Sequence, residues 1–242
     1  MNIIINCAGG RMGKALRTMI EKKGDRVAAM VDPFVRQEGM LAQLSEYEGQ
    51  ADCIIDFSNH AGTDALLAYA LEKSLPVIVC TTGHTDQELA AIEAAAKKIP
   101  VFRSGNMSLG IAVLTRLVKD AAKMFPDADI EIVESHHNQK LDVPSGTALM
   151  LAHSVQEVRK DATLLVGRHE NGKRTPQEVG IHSLRMGNTV GIHEVIINTG
   201  TQILTLKHEA QDRALFAEGA LAAAAFMIGK PAGLYNMDDM VK

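Results

Sequence analysis

Asn2-Ile-Ile-Ile-Asn-Cys-Ala-Gly-Gly-Arg-Met-Gly13 is the stretch on which the fold turns. Three consecutive isoleucines make the short apolar run of a buried strand, and the run ends in a turn that holds Gly9 and Gly10. Met12, Ala15, Leu16, Met19 and Ile20 then recur at the spacing of one apolar helix face. Strand, glycine turn and helix together form the local context of a dinucleotide-binding fingerprint. Glycine lets the backbone turn tightly and approach a pyrophosphate, and the N–H groups that open the helix face its charge. Val27–Val31 reads as the second strand and ends in Asp32, nineteen residues after Gly13, where a carboxylate accepts hydrogen bonds from an adenosine ribose. No arginine follows Asp32 directly; Pro33 and Phe34 come first, and Arg36 is the nearest. A carboxylate with no adjacent cation favours a 2′-hydroxyl over a 2′-phosphate, so NADH is expected to serve at least as well as NADPH.

Downstream the alternation repeats. Ala51–Phe57, Pro76–Cys80 and Val101–Phe102 read as strands, with one helix running to Lys73 and another over Leu89–Lys98 opened by the capping box Thr85-Asp-Gln-Glu88. This spacing predicts a parallel, doubly wound sheet whose strand ends at Phe57-Ser58, Thr81-Thr82-Gly83 and Gly105-Asn106-Met107 line one crevice. Cys7 and Cys80 end different strands on that edge with another strand between them, so no disulfide is expected. After a helix over Leu109–Phe125 the pattern changes. Glu178–Met186, Thr189–Thr199 and Thr201–Glu209 are β-rich and are joined at Gly187-Asn188 and Gly200, which are hairpin signals. The expected architecture is α/β: a doubly wound Rossmann-type domain over residues 1–107, and an α+β domain with a mostly antiparallel open sheet over 108–213 for substrate binding and oligomerisation. Residues 214–242, with a helix over Ala214–Ile228 closed by Gly229, are expected to pack back on the first domain. His169–Gln177 reads as an exposed or mobile loop, and Val195-Ile-Ile197 as apolar material for a subunit interface.

Between the two patterns lies Glu134-Ser-His-His-Asn-Gln-Lys-Leu-Asp-Val-Pro-Ser-Gly-Thr-Ala148. The alternation of Ile130 and Ile132 with Asp129 and Glu131 marks a strand ending at Glu134, so the basic cluster is expected just beyond a strand end, where loops carry chemistry. Ser145 suits a helix N-cap, and a helix start facing His137 and Lys140 is a receptacle for a carboxylate or phosphate. A His-His pair can be no more than a polar loop. Lys140 and the Ser145-Gly146-Thr147 turn add a cation and oriented dipoles that a plain connection does not need. Zinc is the rival chemistry, but there is no His-Glu-x-x-His and no cysteine nearby, so no metal is expected.

Composition narrows the classes. The chain has 242 residues, 46% hydrophobic and 22% charged, with a net charge of −4 and no basic block, which argues against a nucleic-acid surface. No stretch approaches the roughly 20 apolar residues of a membrane span, and the N-terminus lacks the charged region, apolar run and cleavage site of a secretory signal. Three cysteines, Cys7, Cys53 and Cys80, without metal spacing fit a reducing cytoplasm.

Taken together the motifs resemble one family end to end. Gly10-Arg-Met-Gly13, Asp56-Phe57-Ser58, Thr81-Thr82-Gly83, Asn106-Met107-Ser108, the Glu134–Ala148 run, Arg185-x-Gly187-x-x-x-Gly191-x-His193 and His208-x-Ala210-x-x-Arg213 are similar to the motifs of 4-hydroxy-tetrahydrodipicolinate (dihydrodipicolinate) reductases of the lysine and diaminopimelate pathway. The resemblance implies hydride transfer from NAD(P)H to a cyclic unsaturated dicarboxylate and a homotetramer assembled through the C-terminal sheet. By motif position, His136 and Lys140 take the catalytic places, with Lys140 the better proton donor; His137, Lys140, Ser145, Gly146 and Thr147 hold the carboxylates. Strand ends and motif positions together make the cofactor set Cys7, Gly10, Arg11, Met12, Gly13, Asp32, Phe57, Cys80, Thr81, Thr82, Gly83, Asn106, Met107 and Ser108. Cys7 and Cys80 stand where the family usually has glycine. For His193, His208 and Arg213, a structural place at a strand end or domain junction is an equal alternative to a substrate role. A nucleotide-sensing regulator on the same fold, or a dehydrogenase of another small dicarboxylate, are the competing functions.

Overall fold

Strands and helices follow in the order β1 (Asn2–Asn6), α1 (Arg11–Lys22), β2 (Arg26–Val31), β3 (Met40–Leu41), β4 (Cys53–Asp56), α2 (Thr63–Lys73), β5 (Val77–Val79), α3 (Asp86–Ala96), β6 (Pro100–Arg103), α4 (Leu109–Met124), β7 (Asp129–His136), α5 (Gly146–Val158), β8 (Thr163–Val166), β9 (Glu178–Arg185), β10 (Gly191–Asn198), β11 (Ile203–Ala210), α6 (Ala214–Met227), β12 (Gly233–Tyr235) and α7 (Met237–Met240). The computed structural model describes all residues from Met1 to Lys242. They form two units, Met1–Ser108 with Ala214–Met240 and Lys242, and Leu109–Arg213 with Val241. No helix is long and apolar enough to cross a membrane.

In the first unit seven strands make one sheet, in the order β12-β6-β5-β4-β1-β2-β3, and every pair is parallel. Parallel strands are covered on both faces, which is why β1 could be an unbroken Ile3-Ile4-Ile5 run: all three are fully buried. Ile4, Ile54, Val77, Val79 and Val101 pack with Leu66, Leu67 and Ala70 of α2 and Ile92 and Ala95 of α3. Each fully buried valine, leucine or isoleucine among them contributes about 1.5–3 kcal/mol. The helix α6 lies on α1 and against β4, β5 and β6. Thr85 and Glu88 close their capping box as the sequence predicts. Three residues are too few to show a period, so β12, which adds itself beside β6, is not visible in the sequence. β8 in the second unit, with four residues, is likewise too short to show one.

The second unit departs from the expected mostly antiparallel sheet. Its order is β11-β10-β7-β9-β8; β10 runs antiparallel to both β7 and β11, whereas β7–β9 and β9–β8 are parallel, so the sheet is mixed rather than mostly antiparallel. Gly200, at φ +89°, closes a true hairpin between β10 and β11. Gly187, at φ +51°, turns the chain but makes no hairpin, because β7 pairs with β9 on one side and β10 on the other, and the chain steps across it. The helices α4 and α5 cover one face, with Leu114, Val118, Leu151 and Val155 packed on Ile130, Ile132, Val179, Ile181, Val195 and Ile197. Val195 and Ile197 are therefore spent on the unit's own core, and only Ile196 of the expected interface trio lies on the other face, because side chains alternate along a strand. The loop His169–Gln177 is exposed apart from Arg174, whose guanidinium binds the carboxylates of Asp129 and Glu131 and the carbonyls of Ile130 and Glu178.

Candidate active site

In the first unit the expected cofactor residues all follow the carboxyl ends of parallel strands: Cys7–Gly13 after β1, Asp32 after β2, Phe57 after β4, Cys80–Gly83 after β5 and Asn106–Ser108 after β6. Gly10 precedes α1 without a side-chain cap, and a Cβ at Gly13 would lie 2.4 Å from the Cys7 carbonyl oxygen and 2.6 Å from Ala8 Cα, so only glycine lets α1 start this close to the turn. The turn fits a dinucleotide pyrophosphate, since bare backbone opens the helix. Cys7 has φ +65°, the left-handed region where glycine is at ease and another residue costs about 1 kcal/mol.

Several of these residues build the edge rather than offer side chains to it. Asp32 is 2% exposed; its Oδ2 accepts from the Gly9 N–H at 3.0 Å and its Oδ1 from the N–H groups of Phe34 and Val35 at 2.9 and 3.1 Å. It thereby ties the glycine turn to the loop after β2. Asp56 joins three strand ends, accepting from Asn6 Nδ2 at 2.7 Å and Thr81 Oγ1 at 2.6 Å. Met107 and Ser108 are buried, and so is Cys80, whose thiol burial pushes well above its usual value. Arg11, Thr82 and Gly83 are exposed.

In the second unit the strand carries further than the sequence predicts. β7 runs to His136, so Glu134 and His136 are strand residues on the same face as Ile130 and Ile132. The register sets Glu134 opposite Ser183 and His193, and His136 opposite Arg185. The stripe that is hydrophobic core at one end of the sheet thus becomes a charged cluster at the other. Glu134 is fully buried and accepts from His136 Nδ1 at 2.5 Å, from Arg185 Nη1 and Nη2 at 3.0 and 2.8 Å, and from the Ser145 N–H at 3.2 Å. Burial alone would raise its carboxyl, but these donors outweigh it and hold the group at about 2. Ser145 caps α5, taking the Ala148 N–H, and its Oγ lies 3.2 Å from His193 Nε2. The His136 and His193 rings meet edge to face at 5.1 Å.

Beyond β7, Lys140 Nζ pairs with Asp142 Oδ1 at 2.8 Å, and its charge acts on both His136 and His193. His137 Nε2 lies 3.4 Å from Arg213 Nη2. Gly146 is exposed at the start of α5. The structure therefore brings His136, His137, Lys140, Ser145, Gly146 and Thr147 onto one strand end, one loop and one helix start. It adds Glu134, Arg185, His193, Asp142 and Arg213, to which sequence reasoning assigned no definite role. Their only signal there was membership of the quoted motifs.

The buried charges set a pH dependence of stability. Burial, reinforced by His136, holds His193 down at about 4, and Glu134 is held at about 2. Both folded values lie below the unfolded ones. Their contribution is thus complete above pH 6.5 and is lost as pH falls, first through His193 and then, below about 4.5, through Glu134. Urea unfolding is expected to show about 2 kcal/mol less stability at pH 5 than at pH 8 on account of His193. A His193→Gln variant should lose most of that difference, and an equal slope in both proteins would remove the assignment.

Profiles described as "Dihydrodipicolinate reductase, N-terminus" and "Dihydrodipicolinate reductase, C-terminus" match residues 1–107 and 110–241. The chain belongs to the dihydrodipicolinate reductase family. It is 44% identical over 247 residues to the 4-hydroxy-tetrahydrodipicolinate reductase of Caldanaerobacter subterraneus, covering 100% of this chain and 98% of that one. It is 47% identical to the Clostridium tetani protein of the same name, covering 99% and 96%. Among solved structures, the dipicolinate-bound dihydrodipicolinate reductase of Paenisporosarcina superposes with a TM-score of 0.84 at 23% identity over 99% of both chains, which shows the shared fold. A myo-inositol dehydrogenase of Corynebacterium glutamicum shares it more loosely, with a TM-score of 0.59 at 15% identity, covering 96% of this chain and 90% of that one. Both units of this family member therefore have their counterparts within one kind of reductase.

Proposed function

We propose that the chain reduces 4-hydroxy-tetrahydrodipicolinate to tetrahydrodipicolinate with NAD(P)H, in lysine and diaminopimelate biosynthesis. One observation carries this: the complete Glu134–Ala148 cluster, with His136, Lys140 and the capped start of α5, in a chain matched by the family along both units. The nicotinamide dinucleotide supplies the hydride, the 4-hydroxyl leaves as water, and one proton completes the balance. Gly10–Gly13 receive the pyrophosphate at the start of α1, and the ends of β4, β5 and β6 receive the nicotinamide half. His137, Lys140 and the Ser145-Gly146-Thr147 helix start hold the two carboxylates, with Arg213 beside His137 adding positive charge. Lys140 delivers the proton, since an ammonium beside a dianion neutralises charge and can then give up its hydrogen. The outer face of the second sheet, where Ile196 sits with the exposed Leu184 and Ile203, is offered to other copies in a homotetramer.

The direct test follows NADH absorbance with the product of the preceding synthase step. Oxidation that needs both components supports the reductase. No oxidation with fresh substrate would favour a nucleotide-sensing role. The same assay reads the cofactor. The Asp32 carboxylate disfavours a 2′-phosphate nearby, and the neighbouring Phe34 is 89% exposed and uncharged. NADH is therefore expected to give a kcat/KM at least equal to that of NADPH. A tenfold or greater NADPH preference would overturn that reading of Asp32.

A further inference from the structure

Glu134 is a fully buried carboxylate that three different elements reach at once: its own strand through His136, β9 through Arg185, and the start of α5 through the Ser145 N–H. We infer that Glu134, clamped by Arg185, is a positioning residue that fixes the His136 ring as its Nδ1–H tautomer and leaves Nε2 bare. An ionised carboxylate can only accept, so the hydrogen in the 2.5 Å contact belongs to Nδ1. Nε2 then looks toward Gly191, where a Cβ would stand 3.1 Å away, so the missing side chain leaves the space beside it. The charged and titratable groups facing the ring are Glu134 on β7, Arg185 on β9, Lys140 on the loop and His193 on β10. Burial, Lys140 and Arg185 oppose a second proton, Glu134 favours one, and the balance leaves His136 below its usual value and neutral near pH 7. A neutral ring with a bare Nε2 accepts a hydrogen bond and supplies no proton, which leaves delivery to Lys140. The same carboxylate holds the start of α5, so ring and helix dipole stay in register. The catalytic meaning rests on the reductase reading; the tautomer itself does not.

The test uses the full-length enzyme labelled with 15N-histidine, together with Glu134→Gln, Glu134→Asp and the double variant Glu134→Gln/Arg185→Met. In the wild type, long-range proton–nitrogen correlations should show His136 protonated at Nδ1 and bare at Nε2 at pH 8. Glu134→Gln should lower kcat by about 10²-fold or more, as loss of an orienting anion does, with the NADH Kd within about twofold. Glu134→Asp should recover part of that loss and the Nδ1–H signature. The double variant buries no unpaired charge, so it isolates orientation from folding; its kcat should stay low while its NADH Kd holds. Wild-type kcat in the double variant, or an Nε2–H ring in the wild type, would overturn the inference. Absence of dicarboxylate turnover in the wild type would instead sink the reductase reading and leave the tautomer measurement standing.

Discussion

Lys140→Ala is expected to lower kcat by about 10³-fold, to raise KM for the dicarboxylate about tenfold, and to leave the NADH Kd within about twofold. The three expectations have separate causes. General-acid delivery by a placed side chain is typically worth about 10²–10⁴ in rate, and alanine removes the only lysine of the loop. A charge-assisted hydrogen bond to a substrate carboxylate is worth about 1.5–3 kcal/mol, hence the rise in KM. The dinucleotide turn and Asp32 belong to the other unit and keep their own hydrogen bonds. Folding should change by less than about 1 kcal/mol, because the partner Asp142 is 57% exposed and the pair is screened by water. Steady-state kinetics and NADH fluorescence titration measure all three. A variant with wild-type kcat would take Lys140 out of the chemistry, and a large loss of NADH affinity would show that the two units do not bind independently.

Gly219→Ala has the largest expected effect on stability, and its sign opposes what the local sequence suggests. Gly219 lies inside the alanine-rich α6, where exchange for alanine ordinarily stabilises a helix by about 1 kcal/mol. Here a Cβ would stand 1.6 Å from the carbonyl oxygen of Met107 and 2.8 Å from its carbonyl carbon. Both are backbone atoms, so no flexible side chain can swing away. The helix or the Asn106-Met107-Ser108 segment must shift, and overpacking of this kind costs about 1–3 kcal/mol or more. The same shift moves a segment assigned to the cofactor, so NADH affinity should fall together with the urea midpoint. A variant as stable as the wild type, with unchanged NADH affinity, would show that α6 does not press on that segment.

Those two residues mark what could and could not be read along the chain. The role proposed for Lys140 comes from local chemistry: two histidines, a cation and a helix cap fall within the run from His136 to Ser145. The first unit was legible for the same reason. A run such as Ile3-Ile4-Ile5 followed by a glycine turn and an amphipathic helix states its own burial pattern, and parallel strands separated by helices leave little freedom of arrangement. The role of Gly219 was not legible, because its contact lies more than a hundred residues away.

By itself, then, the sequence determined the strand–turn–helix units, the parallel first sheet, the membership of the family and the basic loop, all of which rest on periodicities and spacings within a few turns of chain. Tertiary structure alone decided that β7 separates β9 from β10, that Val195 and Ile197 face inward, and that Glu134 meets Arg185 and His193 across the sheet. Strand pairing is a choice between distant partners, made by the summed burial of whole faces. No single stretch contains it, and the cluster around His136 exists only once that choice has been made.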